Sequence, residues 1–189
     1  MDYKFVVIYI GAFGYKNKPS ILLDCAKRLA KDNICFVLVG DGEAFKEIKE
    51  RAAMSRNVVL TGWLDPDEIT ALLEHSHVGV CIPTPQADAF PNKAFAYLSA
   101  GLPVVSAFCG DMKDIIEKYQ AGYYYSPDNM GALTDSIRLL CEDKGLYERM
   151  SENARKLYDE KFNSDILYEE YAKHIEAVAK MTKNEISAR

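Results

Sequence analysis

Six short runs of β-branched and aromatic residues punctuate this chain, and most are apolar at consecutive positions rather than at alternate ones. They are KFVVIYI (residues 4–10), NICFVLVG (33–40), RNVVLTG (56–62), VGVCIP (78–83), LPVVS (102–106) and AGYYYS (121–126). A strand that is apolar on both faces has to be covered on both faces, and amphipathic segments of helical spacing lie between the runs. Strands that alternate with helices build a parallel sheet with helices on either side, and right-handed crossovers make that sheet doubly wound. The expected fold class is therefore α/β, a doubly wound parallel sheet of about six strands.

The helical segments carry their own start and stop signals. Ile21, Leu22, Cys25, Ala26 and Leu29 recur at helical spacing after Pro19, a residue suited to a first helical turn. Asp65-Pro66 followed by Glu68 predicts an N-cap, a first-turn proline and a capping box. In DAFPNKAFAYLSAGLPVVS (residues 88–106), Pro91 or Asn92 opens a helix and Gly101 closes it in a left-handed cap before the fifth strand. After residue 143 no strand pattern remains, and two terminal helices are expected over 144–182, with TKNEISAR frayed beyond them. No linker or repeat interrupts residues 1–189, which read as a single domain.

Composition narrows the partners. A net charge of −5 provides no global basic field for nucleic acid, so an anionic ligand has to be met by local groups. The five cysteines are scattered without a CxxC pair and mostly lie in apolar runs, as free thiols of a reducing cytoplasm do. The apolar run at residues 4–10 is too short to span a bilayer and reads as a strand.

Ligands of doubly wound sheets sit beyond the carboxyl ends of the strands. The loops there are GAFGYKNK, GDGEA, TGWLDP, PTPQADAFPNK and SAFCGD. They bring Gly11, Gly14, Gly40, Gly42 and Gly110 to one edge, with Lys16 and Lys18 close by in sequence. Glycine turns, helix amino termini and ammonium groups together suit a phosphorylated ligand, although each glycine alone is explained by a turn. Neither a P-loop nor a GxGxxG fingerprint is present. His75 and His77 end a helix, where a charged imidazole favours the dipole, and no third metal ligand accompanies them. Trp63, the single tryptophan, suits stacking on a base or packing equally well.

The order of YIGAFG, FVLVGDGEAFKEIKERA, NVVLTGWLDPDEITALLEHSHVGVCIPT and FPNKAFAYLSAGLPVVS resembles the C-terminal, donor-binding half of the GT-B retaining glycosyltransferases of group 1, a Rossmann-like domain with extra C-terminal helices. The resemblance implies a UDP- or GDP-sugar as donor and transfer of a hexose-type sugar, with retention, to a glycan or lipid-linked acceptor. It implies no required metal and no cofactor, and a cytoplasmic location at or near the inner face of the membrane. It assigns Asp88 to the donor sugar or its leaving phosphate and Lys16 or Lys18 to the diphosphate. By the same resemblance Gly11, Gly14 and Gly40 lie along the nucleotide and its phosphates. Phe90, Pro91, Asn92 and Lys93 line the donor sugar and diphosphate, and Gly110 lies near them.

Three departures stand out. The family signature has two glutamates, and their positions hold Asp88 and Ala96, so the charge survives at the first and the ribose acceptor is lost at the second. Ala12 stands where an arginine is usual. An acceptor-binding domain normally precedes this half. Its absence from the sequence implies a partner polypeptide or a fragment, with any membrane contact made through the missing part. The competing expectation is a degenerate, non-catalytic domain that serves as a binding or interaction module.

Overall fold

The computed structural model describes residues 5–14, 19–82 and 90–187, with side chains described up to residue 179. Six parallel strands and eight helices are present among the described residues: β1 (Phe5–Ile10), α1 (Ser20–Arg28), β2 (Ile34–Val39), α2 (Phe45–Ala52), β3 (Val58–Gly62), α3 (Pro66–Glu74), β4 (Val78–Cys81), α4 (Asn92–Ser99), β5 (Val104–Ser106), α5 (Asp111–Tyr119), β6 (Gly122–Tyr124), α6 (Met130–Glu142), α7 (Lys144–Lys161) and α8 (Ser164–Ser187). The strands form one sheet in the order β3-β2-β1-β4-β5-β6. The expected α/β doubly wound architecture is thus the observed one, and the order of connection reverses between β1 and β4.

Alternation along β1 shows how both faces are filled. Val7 and Tyr9 enter a core beneath α1, α2 and α6, where Leu22, Ile48 and Ile137 are buried. Ile8 points to the opposite core, with Tyr97 and Leu98 of α4 and Met112 and Ile116 of α5. β1 and β2 pair without a slip from Phe5–Ile34 to Ile10–Val39, so their carboxyl ends finish level.

Local signals act where the sequence places them. Asp65 accepts from the Glu68 N–H while the Glu68 carboxylate accepts from the Asp65 N–H, which completes the capping box of α3. Gly101, at φ +71°, turns the chain out of α4, and its N–H and that of Leu102 donate to the Leu98 and Tyr97 carbonyls. Two expectations need correcting. The helix at residues 164–182 continues to Ser187, with residues 183–187 helical rather than frayed. His77 does not serve a helix end: its Nδ1 accepts the Val6 N–H at 3.1 Å, and burial lowers its pKa, which favours the neutral ring.

The apolar residues Ile166, Leu167, Tyr168, Tyr171, Ile175 and Val178 of α8 are all exposed, so this face does not pack on the domain's own surface.

Candidate functional site: the crevice between β1 and β4

In an open parallel sheet a crevice forms where the chain order reverses, because the loops on either side leave in opposite directions. Here that place lies above Ile10 and Cys81, the last residues of β1 and β4. Its two flanks are built differently.

The first flank is made by the loops after β1, β2 and β3, laced together through backbone hydrogen bonds. The Gly11 N–H donates to Val39 O at 3.0 Å, Phe13 N–H to Asp41 O at 2.9 Å, Ala44 N–H to Phe13 O at 2.8 Å and Gly40 N–H to Gly62 O at 2.8 Å. Gly40 adopts φ +140°, and a Cβ there would overlap the Gly11 carbonyl oxygen. That glycine is required because two loops touch. The amides of Gly11 and Gly40 are already used inside the fold, so these two are not open donors at this edge. Gly14 differs, since a Cβ there meets no described atom within 4 Å. Between these loops opens a cleft of about 320 Å³ lined by Ile10, Gly11, Gly40, Asp41, Leu64 and Ile69, with Trp63, 75% exposed, at its edge.

The second flank is the start of α4. Its seating begins with Gly79 in β4, where a Cβ would collide with the Tyr97 ring. The glycine admits that ring, and the fully buried Tyr97 Oη accepts the Ile10 N–H at 2.9 Å, past the point where β4 stops pairing with β1. One helical turn earlier on the same face stands Lys93. Its Nζ lies 4.2 Å from the centroid of the Tyr9 ring, and a Cβ on Gly11 would fall 2.6 Å from it. Among the described residues no carboxylate forms an ion pair with Lys93. Burial lowers its pKa from the ordinary lysine value, with Cys81 opposing as the smaller influence. Burial pushes the Cys81 thiol up to about 12, so at neutral pH it stays protonated and offers no countercharge.

Pro91 is the N-cap of α4 and no side chain caps the helix, while Asn92 is exposed and Phe90 half-buried. Phe90 stacks on Phe95 at 4.8 Å and meets Phe162 at 5.2 Å, so its ring faces the end of α7. Gly110, at φ 61°, is the N-cap of α5, whose first turn carries Asp111 and Asp114; these acids already complement the helix dipole. The structure therefore brings Gly11, Gly40, Pro91, Asn92 and Lys93 to the crevice and turns the Phe90 ring toward α7. Asp88, Lys16 and Lys18 lie outside the described residues.

Sequence reasoning missed Tyr9 and Tyr97. The signal for Tyr97 was present in Gly79, a glycine inside an apolar strand, which marks a close approach, and in the four-residue spacing from Lys93.

Residues 2–157 match the family described as Glycosyl transferases group 1. The chain belongs to that family. Among curated group 1 relatives, the sulfoquinovosyl transferase SQD2 of Arabidopsis thaliana is 28% identical over 154 residues, 80% of this chain and 29% of that protein. The O-antigen chain mannosyltransferase C of Escherichia coli is 28% identical over 168 residues, 87% of this chain and 44% of that protein. The chain thus spans less than half the length of these glycosyltransferases. Among solved structures, Anabaena Alr3699/HepE in complex with UDP-glucose superposes with a TM-score of 0.76 at 22% identity, covering 92% of this chain and 49% of that one. The C-terminal domain of the group 1 family protein LpcC from Francisella tularensis superposes with a TM-score of 0.73 at 18% identity, covering 85% of this chain and 87% of that domain. At these identities the superpositions establish a shared fold. No helix among the described residues is long and apolar enough to cross a membrane.

Proposed function

We propose that this chain is the donor-binding half of a retaining glycosyltransferase and that it holds a UDP- or GDP-sugar in the crevice between β1 and β4. One observation carries the reading: a mostly apolar cleft with an exposed tryptophan at its edge abuts, through Gly11, the ammonium of the half-buried Lys93 at the reversal of strand order. The base and ribose enter the cleft beside Trp63, and the diphosphate runs toward the start of α4. The sugar lies beyond it, near residues 90–93. Transfer of a hexose-type sugar to a glycan or lipid-linked acceptor proceeds in the cytoplasm without a metal, as positive groups stabilise the leaving diphosphate. Complexes of HepE with UDP-glucose and of Staphylococcus aureus TarM with UDP support the ligand class. The acceptor side is supplied by a further domain or polypeptide, and the exposed apolar face of α8 suits such a neighbour.

The reading is tested by thermal melting with UDP and with GDP at millimolar concentration. A rise in Tm with one of them is expected, and no rise with either contradicts donor binding.

A second reading, a non-catalytic binding module, is favoured by Ala96. It is half-buried against the core and has no group to accept from a ribose. Restoring a carboxylate with Ala96→Glu separates the two. The donor reading expects nucleotide affinity to rise by about tenfold or more, the effect of hydrogen bonds to a charged group. No change means that the crevice no longer holds nucleotide.

A further inference from the structure

We propose that Lys93 is the charge-neutralising group for the donor's diphosphate, standing in for a cation that the β1–α1 loop lacks at Ala12, and that the bare Cα of Gly11 is what admits its ammonium to the end of β1. The inference rests on the donor reading and assigns a role within that same site.

The geometry is unusual for a lysine. Most lysines extend their amine into water, whereas this one folds against the Tyr9 ring, 4.2 Å from its centroid, beside Gly11 at the end of β1. Tyr97, bonded to the Ile10 N–H, fixes the helix one turn later, so the position is set by the contact of α4 with β1. Among the described residues, Tyr9 from β1 and Cys81 from β4 lie against the amine, and Tyr97 stands one turn along its own helix. Burial raises the pKa of each of them, so none supplies a negative charge at neutral pH. With no ion pair to a described residue, this cation gains an oxyanion partner without first giving one up among them, which suits a ligand that brings its own charge. The amides of Gly11 and Gly40 are already bonded within the fold, so Lys93 carries a larger share of the diphosphate's charge than a glycine nest would leave to it.

Gly11 provides a second handle on the same contact. A Cβ there would lie 2.6 Å from the Lys93 Nζ and 2.9 Å from the Tyr9 Oη, and both are ends of side chains that can shift. Gly11→Ala therefore displaces the ammonium without breaking the backbone.

The test is calorimetric titration of the full chain with UDP and with uridine, repeated with GDP if that is the nucleotide the wild type binds. It compares wild type, Lys93→Met, Gly11→Ala and the double variant. Lys93→Met is expected to weaken UDP by about ten- to hundredfold, the effect of one hydrogen bond to a charged group, and to leave uridine unchanged. Gly11→Ala is expected to weaken UDP by a smaller factor in the wild-type background and not at all when Lys93 is already Met, because both act on one contact. Lys93→Gln, which keeps a donor and loses the charge, is expected to behave as Lys93→Met and covers the case in which that variant folds poorly. UDP binding unaffected by Lys93→Met, or a Gly11→Ala penalty undiminished in the double variant, overturns the assignment and leaves the donor reading standing. A wild type that binds neither UDP nor GDP removes both.

Discussion

The two flanks of the crevice solve the same problem of close approach with glycine and obtain different things from it. On the β1–β2–β3 flank, Gly40 lets two loops touch and both amides disappear into the fold, leaving a mostly apolar cleft bordered by Asp41 and without a cation among its described lining residues. On the β4–α4 flank, Gly79 lets a tyrosine ring sit on the sheet, and Gly11 leaves room above β1 for an ammonium. A glycine at the carboxyl edge of a parallel sheet is therefore not by itself a phosphate contact. What it makes room for decides its role.

The contrast is broken most sharply at Gly40. Gly40→Ala combines a positive φ with overlap of the Gly11 carbonyl, and a loss of about 3 kcal/mol in unfolding free energy is expected from denaturant titration. A loss below about 1 kcal/mol would mean that the loops separate easily. On the same flank, Trp63→Ala removes a stacking surface, and UDP affinity measured by calorimetry is expected to fall by about tenfold, within the range for base–aromatic contacts. Unchanged affinity places the base elsewhere.

The opposite flank answers to pH. Burial holds the folded-state pKa of Lys93 below its unfolded value. Below both values the amine is charged in each state, and the folded state bears the full desolvation penalty. As pH rises through the lowered value toward that of an ordinary lysine, the penalty is relieved and stability increases. Lys93→Met is therefore expected to melt higher than wild type at pH 7, with the gap narrowing toward pH 10 in parallel melting curves. A gap that is constant or widens with pH contradicts the desolvated-amine account. Diphosphate next to the amine favours its charged form, so UDP affinity is expected to fall over the same alkaline range.

The smallest effect is expected at Gly14. Its absent Cβ touches no described atom, and Gly14→Ala is expected to change stability by about 0.5 kcal/mol or less. A larger loss would show that this position is as constrained as Gly40.

Much of the fold was legible because its signals are local or periodic. Runs that are apolar at consecutive positions predicted strands covered on both faces. Asp65 and Glu68 predicted the start of α3, and Gly101 the exit from α4. The site was legible only as an edge. Whether the Gly11 and Gly40 amides are free depends on how the loops after β1 and β2 meet, and no spacing within either loop contains that. His77 belonged in appearance to a helix end, yet its acceptor role depends on Val6, 71 residues away. The length of α8 was underestimated because polar residues after 180 look like a frayed end, although they suit a solvated helix equally well.

The end of the strands opposite the crevice offers a control. There Lys27, Lys31 and Arg56 line a cleft of about 520 Å³ with Asn33 and Asn57, a concavity where a purely electrostatic attraction would collect an anion. Titration of the ¹⁵N-labelled chain with UDP, followed by amide and indole chemical shifts, distinguishes the two ends directly. Donor binding between β1 and β4 predicts saturable changes at Gly11, Gly40, Lys93 and the Trp63 indole N–H. Changes confined to Lys27, Lys31 and Arg56, with Gly11 and Lys93 unmoved, would contradict it.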